Sequence, residues 1–477
     1  MNTKLIDYIK QITPAMDLAE WQPKCPECSN PIEVDRQSYF IFGQRHWCYG
    51  VCGECKTKFV LDVPTLLYNF WFPQIMNINT RKVYGKPSWW QWDMAEIYFH
   101  YYLQEPFPEN WQKPTIFSQI QKALSFLMKG DFKYLVNKTR ILLTSRQEQN
   151  QPAVKPPPPS LRIEIKNPSN YNSILLFNCL DEYYGHATRF IQFVYNTYDE
   201  IGDKLREEGI GTAILLPEYL QFYAPDFINE IWVGTHLPAP FGRKTFRNLQ
   251  FNLQVNEEIK KRNVYLLKKQ PNIGVGVDAR RYFKMDIVEK NAQISISPGK
   301  PIFVFYHRED LRCWGGHPKL ELKNYSRLAD LLKNYYPEAV IYLVGMKKTY
   351  PIKNKNIIDF RTNGLEDNYQ QRQMDYLYLL SHTDCAVGIH GSHMTEITAL
   401  AKSVITLQLK DKYHNYTDDM FLIKSDSLVP ESCRFLPVFG NRDLDNVSPE
   451  YIFDIIETAL TTARANYLRF YGLYDQV

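Results

Sequence analysis

The sequence predicts an α/β protein: two successive halves of alternating strands and helices, behind a small front region organised by cysteines. Three observations predict it. Short apolar runs alternate with amphipathic stretches from residue 172, the alternation begins afresh after residue 295, and five of the nine cysteines fall between residues 25 and 55. A chain of 477 residues has room for about three domains. Its hydrophobic fraction of 44% is that of a folded chain, and no run approaches the roughly 18 apolar residues of a membrane span. The opening residues, "MNTKLIDYIKQITPAMDLAEWQ", lack the apolar centre of a signal peptide, so the expected location is cytoplasmic.

The net charge of +4 comes from residues 1–160, where 18 basic residues face 14 acidic ones. That excess is too slight for a dedicated nucleic-acid protein, so there is no strong nucleic-acid signal. The stretch 113–146 is locally basic, with seven lysines and arginines against Asp131. Ile116, Ile120, Leu124 and Leu127 share one helical stripe there. Such a stretch either packs on its own domain or lies as a peripheral contact on an anionic membrane, here at its inner face.

The front region, 1–150, opens with "CPEC" at 25–28 and "CGEC" at 52–55, with 23 residues between the pairs. Two such pairs supply the four thiolates that tetrahedral zinc prefers, which makes Cys25, Cys28, Cys52 and Cys55 the expected ligands of a structural Zn2+. Strands at 39–42 and 57–63 would complete a zinc ribbon. Cys48 and His46 are the alternative ligands. A four-cysteine site has no open position for water or substrate, and in a ribbon the metal replaces a core. The aromatic run 64–112 reads as a mostly helical core or as a stacking platform.

A proline-rich linker, 151–160, ends the front region. The first α/β half, 161–294, has strands at 172–180 and 212–217 and a short strand closing "APDFINEIWVG" (224–234). The second half, 295–477, has strands at 301–307, 339–345, 357–360, 385–389 and 404–409. Helices lie between them, one over 324–337, and a single long helix closes the chain, with Ser448 as its N-cap. Continuous apolar strands alternating with helices imply parallel sheets covered on both faces.

One junction in the second half is rich in chemistry. "CAVGIHGSHMTE" (385–396) passes from a strand through a Gly-Ser turn into an acidic helix. Gly391 and Ser392 can present backbone N–H groups to an oxyanion, with the start of the helix behind them. His393 adds a donor. The alternative is a plain strand-to-helix turn. Strand 301–307 runs into "REDLR", whose Arg308 and Arg312 suit phosphate oxygens, or pair with Glu309, Asp310 and Glu321. The loop after the first strand of the first half holds Asp181, Glu182 and His186, candidates for a general base or for a helix cap.

On these residues the body resembles glycosyltransferases of the GT-B class, two Rossmann-like domains facing a cleft. It is most similar to the heptosyltransferase-type families, through "APDFINEIWV", and to those with a His-Gly-Ala-Gly-Leu-Thr-Asn loop. The chain keeps His390, Gly391 and Thr395 of that loop and departs from it at Ser392, His393 and Glu396. It has Met394 where the heptosyltransferase-type loop has histidine. The resemblance covers about residues 172–470 and leaves the cysteine-bearing front outside.

It implies sugar transfer from a nucleotide-sugar donor to an acceptor hydroxyl on a glycan, lipid or protein, inverting and without a catalytic metal. Donor contacts would come from Arg308, Arg312, His390, Gly391, Ser392, His393, Thr395 and Glu396, the last reaching ribose hydroxyls. Asp181 would be the first-choice base, with Glu182 and His186 beside it. The rival expectation is a nucleic-acid- or protein-binding ribbon on a non-catalytic body that senses sugar nucleotides. A nucleotide-sugar epimerase is a third.

Overall fold

The computed structural model describes residues 5, 7–11, 22–42, 45–62, 75–80, 82–84, 162–180, 184–235, 249–267, 277–307, 309, 312–345, 349–362, 368–391, 394–410, 423–424 and 435–463. The aromatic run, the basic stretch 113–146 and the linker lie outside them almost entirely. Contacts divide the chain into two compact units, Met1–Glu182 with Thr197–Pro271 and Tyr183–Asn196 with Asn272–Val477.

The first unit carries two sheets. Its first strand, β1 (Ile9–Gln11), belongs to the larger of them. The next five form an antiparallel meander in sequence order: β2 (Ile32–Phe42), β3 (Arg45–Cys52), β4 (Lys58–Asp62), β5 (Ile75–Asn77) and β6 (Val83–Tyr84). The two expected strands are β4 and the end of a longer β2. Gly50, on β3, is a close approach: a Cβ there would sit 2.6 Å from Ile32 Cγ2.

The larger sheet adds β7 (Arg162–Lys166), β8 (Ser173–Asn178), β9 (Gly211–Pro217), β10 (Glu230–Thr235) and β11 (Asn263–Leu267), in the order β1-β11-β8-β9-β10-β7. The four central strands are parallel and the two outer ones antiparallel. β9 is buried along its whole length, as its unbroken apolar run demands. Helix α1 (Tyr184–Glu207) follows β8, and α2 (Leu249–Lys260) precedes β11.

The meander and the larger sheet share one core. Ile41, Cys48, Phe59 and Leu61 pack with Leu176 and Leu215 and with Phe251, Val255 and Ile259 of α2. A polar clamp crosses the same junction. Asn256 accepts the Ile41 N–H at 2.8 Å and donates to the Ile41 carbonyl at 2.8 Å, so one side-chain amide takes the place of a neighbouring strand.

The second unit has one large sheet. A short pair, β12 (Val277–Asp278) with β18 (Ile423–Lys424), stands apart from it, next to α3 (Ala279–Tyr282) and α4 (Met285–Asn291). The main strands are β13 (Ile302–His307), β14 (Val340–Gly345), β15 (Ile357–Asp359), β16 (Cys385–Ile389), β17 (Val404–Leu409) and β19 (Phe435–Gly440). They are all parallel, in the order β15-β14-β13-β16-β17-β19. The connecting helices are α5 (Pro318–Tyr335), α6 (Tyr369–Ser381) and α7 (Thr395–Leu400), and α8 (Pro449–Glu457) follows β19.

Strand alternation splits this core in two. Phe303 and Phe305 of β13 face α5 and α8 through Leu328, Leu332, Ile452 and Ile456. Ile302, Val304 and Tyr306 face the other side, against Leu379, Leu380 and Ile397. Both faces are covered, which confirms the expected doubly wound half.

α5 and the closing helix differ from expectation. α5 starts six residues earlier than its predicted Asn324, because Pro318 is favourable in the first turn of a helix and His317 Nδ1 accepts the Lys319 N–H at 3.1 Å. The closing helix is not one continuous α-helix. Ser448 caps it as expected, accepting the Tyr451 N–H at 3.1 Å, but it turns π-helical over Thr458–Ala463.

Candidate functional site

The four predicted metal ligands converge. The sulfur atoms of Cys25, Cys28, Cys52 and Cys55 all lie within 4.8 Å of one another, with Cys25–Cys55 at 3.6 Å and Cys28–Cys52 at 3.4 Å. Sulfurs about 2.3 Å from a tetrahedral ion stand about 3.8 Å apart, so the set closes around one metal ion with little adjustment.

Both knuckles fold alike. Ser29 and Lys56, each following a second cysteine, have φ of 64° and 58°. Their N–H groups donate to the Cys25 and Cys52 carbonyls at 2.8 and 3.1 Å. Burial raises the Cys25 thiol to about 12, whereas the Thr57 hydroxyl and N–H bring Cys55 down to about 6. A cation would offset that burial penalty. The alternative ligand His46 is buried and bonded through Nδ1 to the Tyr39 hydroxyl, and Cys48 is buried in the shared core. Neither belongs to the cluster.

In the second unit, the chain leaves β13 for β14 and β15 on one side, then returns to β16 on the other. Where strand order reverses, the loops leaving the two strands part at their carboxyl ends and open a crevice. Tyr306 pairs with Gly388, so β13 and β16 end level. The departing loops are the two that sequence selected. Arg312 donates to the His390 carbonyl at 3.4 Å and joins them. The turn closes through the Met394 N–H, 2.8 Å from the Gly391 carbonyl. Gly388 permits a close approach, since a Cβ there would lie 2.5 Å from the Met394 sulfur and 2.9 Å from Tyr306 Cβ.

The helix after this turn is short. α7 has six residues, so phosphate binding here would rest on the arginines and the turn rather than on a helix dipole. Glu396 does not project into solvent. It is 4% exposed, and burial pushes its carboxyl up to about 8. It lines a cavity of about 80 Å³ with the rings of Tyr306, Phe360, Tyr369 and Tyr376.

The raised value has a sign. Glu396 is protonated in the folded chain over a range where the unfolded chain is ionised. Its contribution to stability is complete below about pH 4.5 and is lost as pH rises through about 8. Unfolding free energy is expected to fall by up to about 1.4 kcal/mol per pH unit between those limits. Glu396→Gln should flatten the slope in urea titrations run from pH 5 to 8.

A buried charge cluster lies beside this crevice, and sequence reasoning missed its centre. His307, at the end of β13, has Nδ1 3.3 Å from Glu321 and Nε2 3.7 Å from Glu309. Arg361 is fully buried, forks onto Asp359 with two 2.9 Å bonds, and reaches Glu309 at 3.7 Å. Glu309 and Glu321 therefore serve His307 and Arg361, rather than only the loop arginines considered from the sequence. The available signal was position: His307 closes the strand before the reversal.

Of the other predicted site residues, Asp181, Glu182, Arg308, Ser392 and His393 lie outside the described residues. His186 falls in the first turn of α1, Thr395 begins α7, and His390 is buried at the end of β16. Among the described residues no helix is long and apolar enough to cross a membrane.

No family model and no curated protein matches the chain. Among solved structures it is similar to the E. coli ADP-heptose lps heptosyltransferase II, with 11% identity and a TM-score of 0.37, over 61% of this chain and 100% of that one. E. coli heptosyltransferase WaaC with ADP gives 10% identity and a TM-score of 0.37, over 60% and 99% of the two chains. An α,α-trehalose 6-phosphate synthase from Burkholderia multivorans gives 11% identity and a TM-score of 0.20, over 60% and 66%.

Proposed function

We propose that the protein is a glycosyltransferase that moves a sugar from a nucleotide-sugar donor to an acceptor hydroxyl on a glycan, lipid or protein. The observation that carries this reading is the bond from Arg312 to the His390 carbonyl at the β13/β16 reversal. It ties a cation to a glycine-opened turn where a parallel sheet offers a ligand crevice.

In the transfer, the bond between the sugar's anomeric carbon and the diphosphate breaks as the acceptor oxygen attacks from the opposite face. Arg312, with Arg308 and the N–H groups of the 391–393 turn, would take the charge that develops on the leaving diphosphate. Asp181 would accept the acceptor's proton, with Glu182 and His186 next to it. No metal enters this step. The four cysteines hold a structural zinc, and the protein acts in the cytoplasm, at the inner face of the membrane where its acceptor is a lipid.

The test is a panel of nucleotide sugars read by thermal shift and by product mass. Asp181→Asn should keep donor affinity and lose turnover by about 10²–10⁴-fold, whereas Arg312→Ala should weaken nucleoside-diphosphate affinity about tenfold. Wild-type turnover by the Asp181 variant would remove that residue from the mechanism. A panel with no stabilising nucleotide would remove the activity.

A further inference from the structure

The cavity lined by Glu396 has a chemistry that the phosphate turn does not require. Its walls are the rings of Tyr306, Phe360, Tyr369 and Tyr376, drawn from β13, the segment after β15, and α6. Its volume of about 80 Å³ is several times the roughly 10–15 Å³ needed to admit one water, which leaves room for a small flat ring. Its polar side-chain groups are Thr362, Arg372, Gln373, Glu396 and the hydroxyls of the three tyrosines. Arg372 is committed elsewhere. It donates to the Phe360 and Arg361 carbonyls at 3.1 and 3.0 Å and stacks on the Phe360 ring. Four aromatic rings in so small a space favour a flat ligand, and a nucleobase has two apolar faces for the rings and one polar edge.

Resting on the donor reading above, we infer that this cavity takes the nucleobase and that Glu396 reads its edge as an uncharged acid, donating through its O–H and accepting through its carbonyl. Only the neutral acid offers a donor beside an acceptor, the pattern that complements an adjacent N–H and lone pair on a base edge. Ionised, it would present two acceptors in a desolvated aromatic box and repel the ring nitrogens and carbonyls. Among the described residues, the charged and titratable groups that line the cavity with it are Arg372 and the phenols of Tyr306, Tyr369 and Tyr376. Burial raises Tyr369 and Tyr376 above the ordinary phenol range. Burial has moved the Glu396 carboxyl to about 8, inside the range from pH 6 to 9.

Calorimetry on the full chain with pyrophosphate, ADP, GDP, UDP and CDP from pH 6 to 9 tests this. Pyrophosphate alone reports the phosphate site, so the ratio of nucleoside-diphosphate to pyrophosphate affinity isolates the base. At pH 6 at least one nucleotide is expected to exceed pyrophosphate by tenfold or more, and that ratio should fall about tenfold by pH 9. In Glu396→Gln, whose amide keeps a donor beside an acceptor, the ratio should not change with pH. Equal affinity for pyrophosphate and every nucleotide would overturn the base site while leaving the phosphate reading intact. A wild-type ratio that does not move with pH would overturn the role of Glu396, and absence of any pyrophosphate or nucleotide binding would remove the donor reading and this inference with it.

Discussion

Cys25→Ser is expected to lower the stability of the first unit by about 3 kcal/mol or more. A structural zinc site in an isolated finger contributes about 10–16 kcal/mol at neutral pH, and this change removes one of four ligands. The loss should not stay local. Cys25, Cys48 and Cys52 belong to the core that also contains Phe251, Val255 and Leu215, so loosening the knuckles opens the face of the larger sheet. Chelation should act in the same direction. In a thermal melt followed by fluorescence and far-UV circular dichroism, the first unit should unfold earlier while a nucleotide still protects the second. An unchanged melt after chelation, with metal loss confirmed by mass spectrometry, would show that the four sulfurs hold nothing that matters to the fold. Nucleotide protection that vanished with the metal would show that the ion is not purely structural.

Arg361→Met should cost about 3–5 kcal/mol, the range for removing one partner of a buried ion pair. The guanidinium is fully buried, bonds both oxygens of Asp359, donates to the Tyr350 carbonyl at 2.9 Å and stands 3.7 Å from Glu309. Methionine fills similar volume but removes the cation that stands 3.7 Å from Glu309. Arg361→Lys should recover little, because a point charge cannot reproduce the two-pronged contact. Urea denaturation checks both variants. A shift below about 1 kcal/mol for the methionine variant would mean that the carboxylates find protons or water at little expense.

The elements that were legible in the sequence are those whose signal is local. β8, β9, β13, β16 and β17 announced themselves as apolar runs, because a parallel strand covered on both faces has no polar side to display. The convergence of the four cysteines was readable from spacing alone, since a knuckle is a local turn. The β13 and β16 loops were selected because strand ends are where such sheets act.

What stayed hidden depends on partners far apart in sequence. Nothing near Asn256 signals that its amide will meet Ile41, 215 residues away. Arg361 reads as one more charged loop residue until Asp359, Tyr350 and Glu309 are folded around it. The resemblance placed Glu396 against ribose hydroxyls, and nothing local marks it as a buried carboxyl, since acidic side chains are usually exposed. Its burial follows from α7 lying against α6 and the aromatic wall, which no window around residue 396 contains.

The Asn256 clamp also bears on how the chain behaves in crowded solution. β2 is the outermost member of its meander, and an exposed outermost strand can recruit a second molecule by extending the ladder. At Ile41 the slots such a visitor would need are filled from a helix, which has no free ladder of its own to pass on. A side chain that docks two parts of one molecule thereby also guards against self-association.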